Sequence, residues 1–349
     1  MDAYSIIYSA VTSECGLGCV LDVSLITMFF GITFTLFGYM IKPLFEKKEN
    51  KIIYPYPIED LPISLDERIK YYEEMSQHIT TIDPTQPYIV RLDGRSFSKF
   101  TKKYKTNENV PYSIEFKKAM VQTCHDLLHE FRPTTIYTHS DEITIIFKNA
   151  ISDNGIIHEH LFGGRTFKII SLISSYASVR FNHNMNITKN SSEFVGSVNM
   201  NQNPTFDARI IVFPEDYEIV NHMIWRSKGD CTRNFISMFA EKYISKKTIK
   251  HLKTNERISA LQQINIDLNG ENVDFGMKHG IFMKCHNSKI NNEITSSFYV
   301  FKNLKFSKSM LQFLLEKNDE FDVDLISNND PIIYDNSNYE QLFEIPSYQ

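Results

Sequence analysis

The stretch TTIYTHSDEITIIF, residues 134–147, decides the fold of this chain. Two runs rich in β-branched and aromatic residues, 134–139 and 143–147, flank a short polar tip, which is the pattern of a β-hairpin. The tip contains Ser140, Asp141 and Glu142. A hairpin with a carboxylate at its tip therefore becomes the reference point for the elements on either side.

The neighbouring elements predict a ferredoxin-like order. Before the hairpin, apolar residues recur at intervals of three and four over residues 113–131 and Pro133 follows, which predicts an amphipathic helix. Further upstream, the apolar run 88–92 predicts a strand that stops at an Asp-Gly step. Downstream, residues 165–181 predict a second helix and residues 209–213 a fourth strand. The order βαββαβ predicts an α/β (α+β) ferredoxin-like palm domain with additional helices, the architecture of polymerase palms and nucleotide cyclases.

Two segments around this unit are less regular. Residues 66–79 have the charge spacing of a helix, whereas the Asn-rich stretch 182–203 predicts a flexible insertion. The chain has 349 residues with 42% hydrophobic content, which is enough to build a core and excludes a disordered protein. Because the net charge is -5, a nucleic acid would have to be held by local lysine-rich patches such as 99–105 and 242–253.

The five cysteines carry no metal or disulfide pattern. Their number is odd and they form no C-x-x-C pair, which argues against a zinc ribbon or a disulfide scaffold. A reducing compartment fits this usage best.

An uncharged apolar run over residues 23–41 predicts a transmembrane helix, since about 18 residues of this kind make a candidate span. Acidic residues precede the run and Lys42, Lys47, Lys48 and Lys51 follow it, so the protein is expected to be membrane-anchored with its catalytic domain facing the cytoplasm. A buried or amphipathic core helix is the alternative.

These observations predict four parts of the chain. An N-terminal segment, 1–45, contains the transmembrane helix at about 23–41, and a Tyr-Pro-rich linker covers 46–62. A palm-like nucleotidyltransferase domain covers 63–290, and a C-terminal extension covers 291–349.

A pair of aspartates carries the predicted chemistry. Asp93 ends the first strand and Asp141 lies at the hairpin tip. The first strand and the central hairpin are neighbours in a ferredoxin-like sheet, so the two carboxylates are expected to meet and to hold two divalent ions for nucleotidyl transfer. Taken singly, each aspartate is also an ordinary turn residue.

Two further groups suit phosphates. Gly94 is expected to let the backbone turn sharply, so that the N–H groups of the next residues face a triphosphate. Those residues are Arg95, Ser96, Phe97 and Ser98. Arg165 and Lys168 lie three apart on the second predicted helix, a spacing suited to gripping a phosphate, although a solvated helix face is the alternative.

Six blocks now point to a family. They are VRLDGRSFSKF (90–100), HSDEITIIF (139–147), GRTFKIISLISSYAS (164–178), TFDARIIVFP (205–214), IWRSKGDCTRNFISMFA (224–240) and MKHGIF (277–282). In this order they make residues 65–285 resemble the tRNA(His) guanylyltransferase family, enzymes that add nucleotides to RNA 5′ ends in the 3′-to-5′ direction.

The resemblance implies roles for individual residues. Asp93, the Gly94 carbonyl and Asp141 would bind two Mg²⁺ ions, with Glu142 beside them as a further catalytic residue. The residues implied for nucleotide binding are Asp93, Gly94, Arg95, Ser96, Phe97, Ser98, Ser140, Asp141, Arg165, Lys168, Arg209 and Asn234. ATP would activate a 5′-monophosphate RNA end, which the 3′-hydroxyl of GTP or another nucleotide then attacks, in a homotetramer that embraces tRNA.

The chain departs from the tRNA(His)-specific branch at two places. That branch has HINNLYN where this chain has TRNFIS over 232–237, and it has a lysine and an aspartate where this chain has Val110 and Ser113. The Arg233–Asn234 pair is more similar to guanylyltransferase-like proteins that extend RNA against a template. Template-dependent repair of tRNA 5′ ends is therefore the leading hypothesis, and a dedicated tRNA(His) guanylyltransferase is the alternative. A nucleotide cyclase and an inactive membrane-tethered RNA-binding protein are more distant alternatives.

Overall fold

A computed structural model describes residues 64–101, 111–188, 204–268, 273–290, 293–301, 314–315 and 332–334. The predicted transmembrane helix and linker lie outside these ranges. Among the residues that are described, no helix combines the length and apolar character needed to cross a membrane. The anchor, its orientation and the four-part division of the chain stay predictions.

One antiparallel sheet organises the described part of the chain. Its order is β4-β1-β3-β2-β5-β6-β7. The strands are β1 Tyr88–Arg95, β2 Thr135–His139, β3 Glu142–Phe147, β4 Thr205–Val212, β5 Ile281–Ile290, β6 Glu293–Phe301 and β7 Ile332–Tyr334. With β1 and β3 central to the first four strands, the βαββαβ prediction of a mixed α/β fold is confirmed.

Helices cover both faces of this sheet. They are α1 Leu65–Ser76, α2 Phe97–Thr101, α3 Ile114–Phe131, α4 Thr166–Thr188, α5 Asp216–Ile224, α6 Thr232–Tyr243, α7 Lys246–Ile249, α8 Thr254–Gln262 and α9 Phe275–His279. A 3₁₀ turn at Leu161–Gly164 precedes α4, and a π-helical segment at Trp225–Cys231 joins α5 to α6.

The side chains of β1 alternate between two cores, as the pleat of a strand requires. Tyr88, Val90 and Leu92 lie in the core formed with α3 and α4, whereas Ile89 lies in the core formed with α1 and α5. Asp93 follows in the second series, so its carboxylate belongs to the face that α1 and α5 cover.

Helix α3 begins and ends where its sequence predicts. The Ser113 hydroxyl accepts a hydrogen bond from the Phe116 N–H at 3.1 Å and caps the first turn. At the other end Arg132 adopts a left-handed conformation with φ 48°, and Pro133 prevents the helix from continuing. Ser113, one of the positions that depart from the tRNA(His)-specific branch, therefore has a structural role.

Several boundaries differ from the predictions. Strand β4 begins at Thr205, four residues before the predicted start, because its first half pairs with the end of β1. Helix α4 continues to Thr188, through the first part of the stretch predicted to be flexible. There Met185 is buried and the Asn184 side chain donates to Asp126 Oδ2 at 3.0 Å, so tertiary contacts outweigh the weak helix propensity of asparagine. Residues 189–203 lie outside the described ranges.

Strands β5 to β7 were not predicted. They extend the sheet beyond β2, where Tyr137 pairs with Phe282, and they continue across the predicted boundary at residue 290. Their alternation is weaker than that of β1 or β3, since polar residues fill most of 284–289.

A buried ion pair fixes α1 to α5. Arg68 donates to both carboxylate oxygens of Glu218, at 3.0 and 3.1 Å, and both side chains are almost fully buried. A bidentate geometry of this kind fixes the relative orientation of the two helices. Its removal from one side would leave an unpaired buried charge.

Buried His222 predicts a loss of stability in acid. It is fully buried between Phe213 and Trp225, neither ring nitrogen has a hydrogen-bond partner among the described residues, and burial lowers its pKa well below the usual range. The unfolded chain takes up this proton near pH 6.5 and the folded chain does not, so stability falls as the pH drops below about 6.5, by about 1.4 kcal/mol per unit. We expect His222→Phe to lose about 1 kcal/mol less than the wild type between pH 7.5 and 5.5.

Urea unfolding followed by circular dichroism at each pH measures this difference. The exposed His78→Phe is the matched control and should retain the wild-type pH dependence. Identical pH profiles for His222→Phe and the wild type would contradict the assignment.

Candidate active site

The two predicted aspartates lie next to each other where the inner strands β1 and β3 meet the hairpin tip. Asp93 is directly opposite Glu142 in the β1–β3 pairing, and the Gly94 N–H donates to the Asp141 carbonyl at 3.1 Å. Ser140 turns the hairpin tip in a left-handed conformation with φ 51°, and its hydroxyl donates to Asp141 Oδ1 at 3.1 Å. The strand order thus brings the pair together, while its role in metal binding stays a prediction.

The charges around Asp141 favour a bound cation. Burial raises the pKa of this carboxyl, hydrogen bonds from Ser140 and the backbone lower it, and the negative charges of Asp93 and Glu142 raise it further. Carboxylate oxygens are the hard ligands that Mg²⁺ prefers, and a divalent ion would relieve both the burial and the repulsion. The donor set therefore fits the predicted metal.

The turn after Asp93 differs from its prediction. Gly94 continues β1 in regular pairing, and the sharp turn comes at Ser96, with φ 61°. Glycine is needed for another reason: a Cβ atom at this position would lie 2.5 Å from the Phe97 ring. Arg95, Ser96 and Ser98 are exposed beside the aspartates, as nucleotide-binding residues would have to be.

Phe97, by contrast, is a core residue. Only 1% of it is exposed, and its ring packs against Phe181 and Phe206 at centroid distances of 5.1 and 5.0 Å. Its side chain supports the turn from below, and part of it lines the cavity described below.

Arg209 is the predicted phosphate-binding cation that lies near the aspartates. It donates to Glu73 Oε1 at 2.7 Å, and its other terminal nitrogen lies 3.9 Å from Asp93 Oδ2. The side chain is 40% exposed, so it remains accessible to a ligand. Arg209 pairs with Arg91 in the sheet, two residues along the strands from the pair that contains Asp93.

Glu142 is tied to an arginine that the sequence did not single out. Arg226, on the π-helical segment, contacts the Glu142 carboxylate and also donates to Asp230 Oδ2 at 2.7 Å. The Arg226 side chain is 5% exposed. A π-helical turn is often found at functional sites, and here it places Arg226 beneath the carboxylate row. Glu142 therefore has a cationic partner of its own, unlike Asp141.

His139 completes this network as a neutral group. It offers a nitrogen within 4.8 Å of oxygens of Glu142 and Asp230, but the Arg226 guanidinium already binds both carboxylates. Burial lowers the pKa of His139 to about 3, and the positive charge of Arg226 contributes. His139 is thus uncharged at neutral pH and cannot hold a phosphate as a cation.

Arg165 and Lys168 do not join the aspartates within one chain. Arg165 forms an isolated bridge with Thr81, which precedes β1, whereas the Ser178 hydroxyl, farther along the same helix, accepts from the Phe206 N–H at the carboxylate end of the sheet. Thirteen residues of helix separate the two positions by about 20 Å. Helical spacing showed that the two cations share a face, but not which end of the sheet that face occupies.

Asn234 lies at the start of α6, next to the carboxylate network. It is exposed, and the preceding Arg233 contacts Asp230. One helical turn later Met238 lines the cavity beside Asp141. Asn234 therefore lies one helical turn before a residue of the cavity wall.

A cavity of about 240 Å³ opens beside Asp141, between α3, α6 and α9. Its polar wall includes Ser98, Tyr112, Lys117 and Ser140. Its apolar wall includes Phe97, Phe116, Met120, Val121, Met238, Met277 and Ile281. The apolar surface dominates, which suits the flat faces of a nucleobase better than a phosphate.

A family model described as tRNAHis guanylyltransferase matches residues 66–214, which include both aspartates and strands β1 to β4. The tRNA(His) guanylyltransferase of Debaryomyces hansenii is 28% identical over 48% of this chain and 57% of its own length. Residues 66–214 belong to the tRNA(His) guanylyltransferase family. This family consists of nucleotidyltransferases, so the predicted enzyme class is confirmed at this level.

The chain is also similar to an uncharacterized viral protein and to two solved bacterial structures. An uncharacterized protein of Acanthamoeba polyphaga mimivirus is 37% identical over 75% of this chain and 92% of its own length. A bacterial tRNA(His) guanylyltransferase-like protein, solved in complex with ATP, has a TM-score of 0.53 and 25% identity over 72% of this chain and 99% of its own. A bacterial GTP complex has a TM-score of 0.50 at 24% identity and supports the fold alone.

The match to named guanylyltransferases is partial. This chain spans 57% of the length of the Debaryomyces hansenii enzyme and 48% of that of the probable enzyme from Dictyostelium discoideum, to which it is 32% identical. Both matches cover less than half of this chain. Activity and substrates are therefore proposals for this protein.

Sequence reasoning missed Arg226, Asp230 and Lys117. The first two lie in the block IWRSKGDCTRNFISMFA, from which the resemblance assigned a role to Asn234 alone. Lys117 lies on the buried stripe of α3, and a lysine among apolar positions was a usable signal.

A methyl group at Gly94 should disturb the turn beneath the site. Because Phe97 is enclosed by other rings, it cannot move away from a Cβ atom 2.5 Å distant. We expect Gly94→Ala to lower the free energy of unfolding by about 1–3 kcal/mol, as overpacked cores do, and to weaken nucleotide binding. Gly155→Ala is the control, since nothing lies within 4 Å of its Cβ and only its positive φ has a cost. Equal stability of Gly94→Ala and the wild type, measured by urea unfolding, would contradict the packing argument.

Proposed function

We propose that this protein adds nucleotides to the 5′ end of tRNA, in the 3′-to-5′ direction, with two Mg²⁺ ions held by Asp93, Asp141 and the Gly94 carbonyl. The juxtaposition of the two aspartates, on the chain segment that matches the family model, carries the proposal. Mg²⁺ would neutralise phosphate oxygens and support in-line displacement at phosphorus.

The chain's own groups bind and orient the substrates. Arg209 is a half-exposed cation within 3.9 Å of Asp93, which suits a nucleotide phosphate. The exposed residues Arg95, Ser96, Ser98 and Ser140 border the same place, and the apolar cavity beside Asp141 suits the base. The proposed substrates are ATP and a second nucleoside triphosphate, which is GTP or another nucleotide. The ATP complex of the bacterial relative supports a nucleoside triphosphate at this site.

Glu142 is proposed to act indirectly. Its carboxylate is bound by Arg226 and contributes negative charge beside Asp141. Arg165 and Lys168 are exposed cations at the far end of the sheet, a position suited to RNA phosphates or to a neighbouring protomer of the homotetramer that the family resemblance implies.

Template-dependent repair of 5′-truncated tRNA is the finer form of the proposal. The residues 232–237 lack the HINNLYN element of the tRNA(His)-specific branch, and the exposed Arg233–Asn234 pair stands in its place beside the carboxylate network. The alternative is a dedicated tRNA(His) guanylyltransferase, which the names of the relatives favour.

Asparagine at either aspartate should abolish transfer. Asp93→Asn and Asp141→Asn keep the side-chain size but remove a negative ligand, so we expect transfer of labelled GTP to tRNA to fall by at least a hundredfold, the equivalent of several kcal/mol of transition-state stabilisation. The exposed Asp83→Asn, ahead of β1 at the other end of the sheet, is the control and should retain activity. Wild-type rates in both test variants would refute the two-metal site, and a cyclic product from nucleotide alone would indicate a cyclase.

The opposing base should select the added nucleotide. A correct pair aligns the incoming 3′-hydroxyl with the activated 5′ end, and an ångström-scale misplacement can cost about a hundredfold in rate. We expect each of the four nucleotides to be added best to 5′-truncated tRNAs whose opposing base pairs with it, across several tRNA identities. Guanosine addition confined to histidine tRNA, whatever the opposing base, would instead establish the dedicated guanylyltransferase.

A further inference from the structure

Lys117 is an unusual residue for the wall of the cavity beside Asp141. It projects from the buried stripe of α3, its side chain is 5% exposed, and it is the one lysine or arginine among the described residues that line this cavity. Taking an ammonium group out of water is costly unless several partners replace the lost hydration.

The protein supplies Lys117 with a carboxylate partner and a fixed position. Lys117 Nζ lies 2.6 Å from Asp274 Oδ2, and the Tyr112 hydroxyl donates to the same oxygen at 3.1 Å. The other oxygen, Asp274 Oδ1, accepts from the Met277 N–H at 3.1 Å and caps α9. Asp274 is thus anchored from three sides and fixes the position of the Lys117 ammonium group.

Two donors of this ammonium remain for a ligand. Lysine has three N–H donors, and within the described residues Asp274 is the one acceptor that Lys117 Nζ reaches. Because the rest of the wall is largely apolar, a ligand in the cavity has to bring acceptors to Lys117 and a flat apolar surface to the methionine and phenylalanine side chains.

Guanine meets this requirement better than adenine does. The N7 and O6 atoms of guanine are adjacent acceptors on one edge, and lysine commonly donates to this pair. Adenine has an amino donor in place of O6, which would face a lysine donor and leave it unpaired. The phosphates would lie at the cavity mouth, near Asp93 and Asp141, and not at the buried end.

We propose that Lys117, held by Asp274 and Tyr112, donates to the O6 and N7 atoms of guanine and makes this cavity bind GTP more tightly than ATP when no opposing base is engaged. The inference rests on the proposed function, because it assigns the base specificity of the nucleotide that binds beside Asp141. Lys117 is on this view a specificity-determining residue with no part in the displacement itself.

Four triphosphates separate the contributions of the base edge. Binding in the presence of Mg²⁺ is measured by calorimetry with GTP, inosine triphosphate, ATP and 2-aminopurine riboside triphosphate. Inosine keeps O6 and N7, whereas 2-aminopurine lacks O6. We expect the wild-type protein to bind GTP and inosine triphosphate alike, and to bind the other two about tenfold more weakly.

Substitution of Lys117 should remove this pattern. Lys117→Met keeps the side-chain length and should weaken GTP and inosine triphosphate about tenfold, while ATP and the 2-aminopurine nucleotide change little. Because this change leaves Asp274 buried without its cation, Lys117→Met/Asp274→Asn restores neutrality and is compared at matched folding, checked by thermal unfolding. Lys118→Met, on the same helix but outside the cavity wall, is the control and should keep the wild-type preference.

The nucleotide preferences of the variants distinguish recognition of the base by Lys117 from a structural role or a phosphate contact. An unchanged preference for GTP in the folded double variant, or an equal loss for all four nucleotides, would overturn the inference and leave the pair as a structural element or a phosphate contact. A wild-type protein without a GTP preference would overturn it as well. Mg²⁺-dependent binding with the wrong base pattern overturns this inference alone, whereas no binding of any nucleotide overturns the proposed function too.

Discussion

The register between β1 and β3 is the constraint on which the site depends. It sets Asp93 opposite Glu142 and lets the Gly94 N–H reach the Asp141 carbonyl at 3.1 Å. A slip of one residue would turn Asp93 into the core that α3 and α4 form, where Leu92 now packs. The slip is prevented because β1 is buried on both faces, with Ile89 in one core and Leu92 in the other, so that each shift exposes or crowds apolar side chains on two sides.

The register also assembles charges that have to be balanced. Asp93, Asp141 and Glu142 meet at one end of the central strands, and the charges of Asp93 and Glu142 raise the pKa of the partly buried Asp141. Arg209 lies near Asp93 and Arg226 binds Glu142, so two of the three carboxylates have a cationic partner in the protein. Asp141 has its elevated pKa and no such partner among the described residues. A divalent cation at this place would complete the balance.

The π-helical segment and α9 pack around the carboxylates of the palm. The π-helical segment places Arg226 beneath the carboxylates, and the Ser227 hydroxyl donates to the His279 carbonyl at 2.6 Å, which connects the segment to α9. The loop before α9 in turn carries Asp274, the partner of Lys117. The aspartate pair, the ion-pair network and the cavity are thus parts of one packed structure. A disturbance at α9 would be felt at both the charge network and the cavity wall.

The sequence by itself determined the hairpin, helix α3, the order of the first four strands and the meeting of Asp93 with Asp141. Each of these follows from local periodicity, capping residues or the neighbour rules of a known strand order. The sequence could not place Arg165 and Lys168 at the far end of the sheet, because helical spacing gives a shared face but not its position. It also could not pair Arg226 with Glu142 or Lys117 with Asp274, because these partners lie 84 and 157 residues away along the chain. Such pairs form only when the fold brings the segments together, since an isolated arginine or lysine is equally well solvated in water. Tertiary structure alone decided that Arg226 and Lys117 became part of the site and that Arg165 and Lys168 did not.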